Sequence, residues 1–269
     1  MRLKWFGTAA LLLEQDDTQL LFDPFISRNK KLFSPSLEEL ASAEHILLTH
    51  GHFDHIVDVP RIAEYNKYSS KIFCTDAPRK TLISKGVPSE VIHIITPGDE
   101  LNLGPFHIRI LRGKHIQFDN KLIVKTLTNP RMLRYFDQLQ FLIKESRACQ
   151  EAGEIVVYNI KVSNKNVLVI GSLNLDDKTE YPKEPDLLIL PFQGNSSVSK
   201  IAMKFIEQLQ PKRVLLDHFD DSFPPLTSSI KTESFATALR QKYPEISIVS
   251  AQASSVWLEI ADPCFVSKT

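Results

Sequence analysis

The run Thr49-His50-Gly51-His52-Phe53-Asp54-His55 sets three imidazoles and a carboxylate close together, in a chain whose 269 residues include only 8 histidines. It follows directly on His45-Ile46-Leu47-Leu48, which has the pattern of a buried strand. A strand that delivers so many metal-binding side chains to one loop belongs at a sheet edge, where other strand ends complete a site. Imidazole and carboxylate are donors suited to Zn, Fe or Mn. In a tight loop His50 and His52 can point to one spot, and Asp54 and His55 to a second spot beside it. That spacing suggests two adjacent metals, each needing further ligands. His115 and His218 follow apolar strand-like runs and are the best remaining donors. His45, His93 and His107 lie within or beside such runs and read as ordinary polar residues.

The rest of the chain alternates strand and helix patterns. An early hairpin covers 9–13 and 19–22 and ends at Asp23-Pro24. Ser36-Leu37-Glu38-Glu39 has the spacing of a helix-start capping box. Helices are expected over 59–65, 77–84 and 201–209 and around 235–239. Strands are expected over 71–74, 107–111, 155–160, 167–170, 187–190, 214–216, 246–249 and 256–260. Within 131–150, Leu133, Phe136, Leu139, Phe141, Leu142 and Ile143 recur with a rough helical period, predicting one or two helices inserted between strands. No Gly- or Ser-rich linker interrupts the chain, so 1–269 reads as one α/β domain. Several apolar strands end in a small polar or metal-binding residue: His50, His115, Ser172 and His218. Four such ends can converge on one edge.

Composition narrows the function classes. Lys plus Arg and Asp plus Glu both number 32, and this neutrality argues against broad capture of nucleic acid or anionic membrane. Arg28, Lys30, Lys31, Arg131, Arg134, Lys144 and Arg147 are the candidates for a local basic patch, and each reads first as a solvated charge. Cys74, Cys149 and Cys264 are odd in number and far apart, as expected of free thiols in a reducing compartment. The apolar run 9–13 meets Glu14, too soon for a secretory or membrane segment. A cytoplasmic protein is therefore expected. A chain of this length buries a core without metal staples, so a bound metal would do chemistry.

The motif and its preceding strand resemble the signature of the metallo-β-lactamase-fold metal-dependent hydrolase superfamily. Lys4-Trp5-Phe6-Gly7-Thr8-Ala9-Ala10 through Leu21-Phe22-Asp23-Pro24-Phe25 resembles the opening hairpin of its UlaG-like (ascorbate-phosphate lactonase-like) branch. Residues 188–191 and 213–218 resemble later strands. The resemblance implies an α/β, four-layer αβ/βα sandwich with a helical insertion near 131–150. It makes His50, His52 and His115 ligands of a first metal, and Asp54, His55 and His218 ligands of a second. Asp23 matches a residue that supports the metal loop, though it reads equally as a turn residue before Pro24. One departure stands out. The family pattern has an Asp bridging the two metals where this chain has Ser172. The second site keeps one carboxylate and two imidazoles, so weaker binding is expected there. Asp176, Asp177, Asp220 and Asp221 are nearby in sequence. Asp220 is the candidate replacement or support, against a reading of Asp220-Asp221 as a solvated loop before Pro224-Pro225.

The function implied is a metal-dependent hydrolase with one or two divalent ions, Zn first and Mn or Fe as alternatives. A metal-bound hydroxide would attack a small-molecule ester, lactone or phosphoester, with Asp54 as the catalytic residue that orients the nucleophile or takes its proton. Gly171-Ser172 lacks the G-x-S-x-G elbow of serine hydrolases. Residues 192–197 can bind substrate or simply start a helix. The 131–150 insertion can cap the site, pack on the sandwich or meet a second subunit in a homo-oligomer. The alternative is a non-hydrolytic metal-binding protein, weakened at the second site by Ser172. A redox di-iron relative would need a flavin partner domain, for which this length leaves no room.

Overall fold

Strands that are apolar at every position need cover on both faces, and two sheets stacked face to face with helices outside each supply it. The computed structural model describes residues 1–149 and 153–260. Its strands are β1 (Arg2–Gly7), β2 (Ala10–Gln15), β3 (Thr18–Phe22), β4 (His45–Leu47), β5 (Lys71–Cys74), β6 (Ile92–Ile94), β7 (Glu100–Leu103), β8 (Phe106–Arg112), β9 (Val156–Val162), β10 (Lys165–Ile170), β11 (Leu187–Pro191), β12 (Arg213–Asp217), β13 (Ser247–Val249) and β14 (Leu258–Glu259). One sheet runs β14-β1-β2-β3-β4-β5-β6 and the other β13-β12-β11-β10-β9-β8-β7. Helices α1 (Leu37–Ala41), α2 (Phe53–Ile56), α3 (Val59–Tyr65) and α4 (Asp76–Ser84) follow the first sheet's strands. Between β8 and β9 come α5 (Asn120–Leu127), α6 (Arg131–Arg134) and α7 (Phe136–Ala148), and α8 (Val198–Leu209) and α9 (Glu233–Lys242) belong to the second half. The result is an αβ/βα sandwich.

Alternation along the strands builds its layers. In β10, Val167 and Val169 face the other sheet, packing with Phe22, Leu47 and Tyr158. Leu168 and Ile170 face outward to a cluster that includes Phe205 and Ile206 of α8. The buried residues of α8 (Val198, Ala202, Phe205, Ile206, Leu209) form one apolar stripe at helical spacing. On the far side Ile46 and Leu48 pack with Ile62 and Ala63 of α3. Each fully buried large aliphatic or aromatic side chain contributes about 1.5–3 kcal/mol relative to exposure.

The expected opening hairpin is present as the antiparallel pair β2–β3, and β1 adds a third antiparallel strand beside β2. One expectation needs correction. The insertion is longer than 131–150 and starts with α5, where Asp119 Oδ1 caps the helix by accepting from Leu122 N–H at 2.8 Å. Leu122, Ile123 and Val124 are consecutive apolar residues flanked by lysines, so no helical stripe marks them in the sequence. Ser36 does cap α1, its Oγ accepting from Glu39 N–H at 3.1 Å. Gln150 and Cys264 lie outside the described residues.

Candidate metal centre

Parallel pairing aligns the carboxyl ends of β3 and β4 in one sheet, and of β10, β11 and β12 in the other. The loop after β4 is held from beneath by Asp23, which sits at a left-handed φ of 41° just past β3. Asp23 Oδ1 accepts from Thr49 N–H at 2.8 Å, and Oδ2 accepts from Thr49 Oγ1–H at 2.6 Å. The second sheet grips the same loop. Val156 N–H donates to Thr49 O at 3.0 Å, and Tyr158 O–H to Leu48 O at 2.6 Å. Gly171 at the end of β10 allows the contact: a Cβ there would stand 2.4 Å from Thr49 Cβ. So Asp23 is a buried support of the loop, more than a turn residue before Pro24.

Two donor clusters result. His50, His52 and His115 bring one ring nitrogen each within 4.8 Å of one another, and Asp54, His55 and His218 do the same with two nitrogens and a carboxylate oxygen. In the first, His50 Nε2 and His115 Nε2 each approach His52 Nδ1 at 3.2 Å. In the second, His218 Nε2 lies 3.1 Å and His55 Nε2 3.9 Å from Asp54 Oδ2.

The opposite ring nitrogens set the tautomers. His115 Nδ1–H donates to Ile116 O at 2.7 Å, and His50 Nδ1–H to Thr49 Oγ1 at 3.0 Å. Their Nε2 atoms are then bare lone pairs aimed at a third imidazole, an arrangement that wants a cation between them. His55 Nδ1 meets Asp23 Oδ2 at 2.9 Å, and His218 Nδ1–H donates to Gln193 Oε1 at 3.0 Å. The donor set therefore fits divalent metal at both clusters.

Electrostatics divides the clusters. Burial holds His50 well below the usual imidazole range and pulls His52 down to about 4, with neighbouring imidazoles adding to the effect. Burial also lowers His115. The first cluster is thus neutral and ready to donate lone pairs. In the second, burial would lower His218, but the hydrogen bond and charge of Asp54 outweigh it and raise His218 to about 9. Burial likewise opposes the charge on Asp54, yet His55 and His218 hold its carboxyl below the ordinary range.

Ser172 lines the cleft, but its hydroxyl and the acidic candidates already have partners. Ser172 Oγ accepts from Ile116 N–H at 3.0 Å, steadying the segment that carries His115. Asp220 accepts from Thr8 N–H at 3.1 Å and from Ser222 Oγ–H, so the expected replacement ligand is spent on the β1–β2 turn. Asp221 is no solvated loop residue either: it pairs with Arg131. Arg28 pairs with Asp58 at 2.8 Å, removing it too from the expected basic patch. Asp176 accepts from Thr179 Oγ1–H at 2.8 Å and Asp177 lies 3.6 Å from Lys114, so neither joins the clusters. Ser197 precedes α8 without a side-chain cap, whereas Gln193, earlier in that stretch, orients His218.

Sequence reasoning missed Asp217. It is buried at the end of β12 with Oδ1 unpartnered, and burial pushes its carboxyl up to about 7. The only signal was its position immediately before His218.

These shifts predict how the metal-free protein responds to pH. A folded-state pKa raised above the unfolded one gives stability that is complete below the unfolded value and lost as pH climbs through the folded value. For Asp217 the loss runs from 3.8 to about 7. For His218 it runs from 6.5 to about 9. Both have the same sign, so chelator-treated protein should melt several degrees lower at pH 9 than at pH 6.5. A flat melting temperature across that window would mean that His218 carries no proton.

The clusters form the floor of a cleft of about 810 Å³. Its walls include Phe53, Ile116, Phe118, Leu122, Phe223 and Leu226. α5 and the end of α7 line it too, while Phe141 and Leu142 of α7 pack on the apolar cluster outside the first sheet, so the insertion both borders the site and packs on the sandwich. A volume of this order suits a small-molecule ligand. No helix among the described residues is long and apolar enough to cross a membrane.

The chain is similar to several known proteins. A family model described as the beta-lactamase superfamily domain matches residues 2–218. A UPF0173 metal-dependent hydrolase of Methylocella silvestris is 36% identical over 115 residues, 43% of this chain and 48% of the relative. That match spans about half the relative's length. One from Carboxydothermus hydrogenoformans is 25% identical over 234 residues, covering 86% of this chain and 89% of the relative. Among solved structures, Igni18, a metallo hydrolase from Ignicoccus hospitalis, is similar with a TM-score of 0.62 and 18% identity, over 96% of this chain and 98% of that one. This last likeness is one of fold. The matched residues run from β1 to His218 and include both donor clusters, and the chain belongs to the beta-lactamase superfamily domain family, with a metallo-β-lactamase fold.

Proposed function

We propose that the protein is a metal-dependent hydrolase of a small-molecule ester, lactone or phosphoester. His50, His52 and His115 hold a first divalent ion, and Asp54, His55 and His218 a second. Zinc suits a set of five imidazoles and one carboxylate, and Mn or Fe is accommodated by the same donors. The observation that carries the reading is the pair of adjoining clusters on the floor of one cleft, with ring nitrogens already oriented by Asp23, Thr49, Ile116 and Gln193. Metal bound there lowers the pKa of its water to about 7 and polarises the scissile group.

The chain's own residues do the rest. Asp54 lines the cleft with Oδ2 toward His218 and is held ionised by His55 and His218, placed to orient the nucleophile by accepting its hydrogen bond. Gln193 fixes the ring of His218. Phe53 and Phe223, in edge contact at 5.1 Å between centroids, keep bulk water from one side. The buried free thiols Cys74 and Cys149 suit a reducing, cytoplasmic setting.

The test combines metal analysis with a panel of p-nitrophenyl esters, lactones and bis-p-nitrophenyl phosphate. Chelation should abolish turnover, and added Zn should restore it. Ser172→Asp should tighten the second metal by roughly tenfold, since a carboxylate replaces a hydroxyl beside the site. A panel that stays inert in both proteins while metal still binds would overturn the hydrolase reading in favour of a metal-binding protein weakened at Ser172.

A further inference from the structure

Outside the two donor clusters, the charged side chains that line the cleft are Lys121 and Lys125, among the described residues. They stand four residues apart on α5 and so share one face of that helix. Three cations near the insertion are paired away, Arg28 with Asp58, Arg131 with Asp221, and Lys85 with Glu145, and Arg134, Lys144 and Arg147 are not among the residues lining the cleft. Neither Lys121 nor Lys125 makes an ion pair among the described residues.

The helix that carries them is firmly anchored. Asp119 Oδ2 accepts from Ser196 N–H at 2.6 Å while Oδ1 caps α5. Asn195 Nδ2–H donates to Gln117 O at 2.8 Å, and the Phe118 ring lies 5.7 Å from that of His115. Beyond the helix, Arg131 N–H donates to Asn129 Oδ1 at 3.0 Å and the Arg131 guanidinium ties to Thr227 O at 3.3 Å. α5 is therefore fixed at both ends to the cleft it borders. Two unpaired ammonium groups on a wall that is otherwise largely apolar present a complement to a negative charge on an apolar body.

We infer that the substrate is an amphipathic anion, an apolar chain or ring carrying a carboxylate or phosphate, and that Lys121 and Lys125 bind its charge. This rests on the hydrolase reading only in taking the cleft as the substrate site. The two lysines are specificity residues and touch no reacting bond.

The test reads binding rather than turnover, so an inert hydrolysis panel would leave its outcome intact. Octyl phosphate, octanoate and 1-octanol are titrated calorimetrically into the protein as isolated, its metal content measured. Both anionic probes should bind better than 1-octanol. The double variant Lys121→Gln/Lys125→Gln should weaken the anionic probes roughly tenfold while leaving 1-octanol binding and metal content unchanged. Lys121→Arg/Lys125→Arg should retain the preference, which excludes a merely unfolded helix. A larger loss for octyl phosphate assigns a phosphate, and a larger loss for octanoate a carboxylate. Unchanged binding of both anions in the Gln variant, or an equal loss for 1-octanol, overturns the proposal.

Discussion

His50→Ala is expected to remove the first metal and to lower turnover by roughly a thousandfold or more, on the order of 4 kcal/mol in transition-state stabilisation. His50 is buried, and its Nε2 lies 3.2 Å from His52 Nδ1, so its truncation takes one of three converging donors out of the first cluster. The truncated cluster keeps two imidazoles, fewer than the three protein ligands of an ordinary catalytic site. His52→Ala should behave alike, because His52 Nδ1 is the atom that both His50 and His115 face. Elemental analysis with steady-state kinetics decides the matter. Full activity in either variant would sink the mechanism, whatever the substrate.

Asp54→Asn should lower kcat by roughly 10²–10⁴-fold and strip the second metal while sparing the first. The substitution conserves volume, so its effect reports charge rather than packing. Asp54 is the sole carboxylate of its cluster, and Ser172 supplies none in compensation. The same change removes the carboxylate charge that, with its hydrogen bond, lifts His218 to about 9. The metal-free variant should therefore lose the part of its alkaline destabilisation that falls between pH 6.5 and about 9. Wild-type kcat together with unchanged metal stoichiometry would remove Asp54 from both roles.

Much of the site was legible because its signals are local. An apolar strand leading into alternating donors needs only the order of residues to be recognised, and the same holds for the strands before His115 and His218. Helix α3 spans Val59–Tyr65 as expected, since its apolar positions fall at helical spacing. α5 escaped notice because its apolar residues are consecutive and its lysines look like solvated charge. Of the seven candidates for a basic patch, Arg28 and Arg131 fold into ion pairs. Gln193 could be suspected only as part of a helix-start stretch. Its contact with His218 follows from the β11–β12 register, in which Pro191 stands beside Asp217.

The order of residues alone determined which atoms are available as metal donors and that apolar strands deliver them to one edge. Those properties depend on side-chain chemistry and on periodicity over a few residues. Tertiary structure decided how each remaining polar group is used. Ser172 turns to Ile116 across 56 positions, and Asp220 to Thr8 across 212. Lys121 and Lys125 become walls of the cleft because Asp119 meets Ser196 across 77 positions. A buried polar group takes whatever partner the packed chain brings within hydrogen-bonding distance, and no local pattern encodes which partner that is.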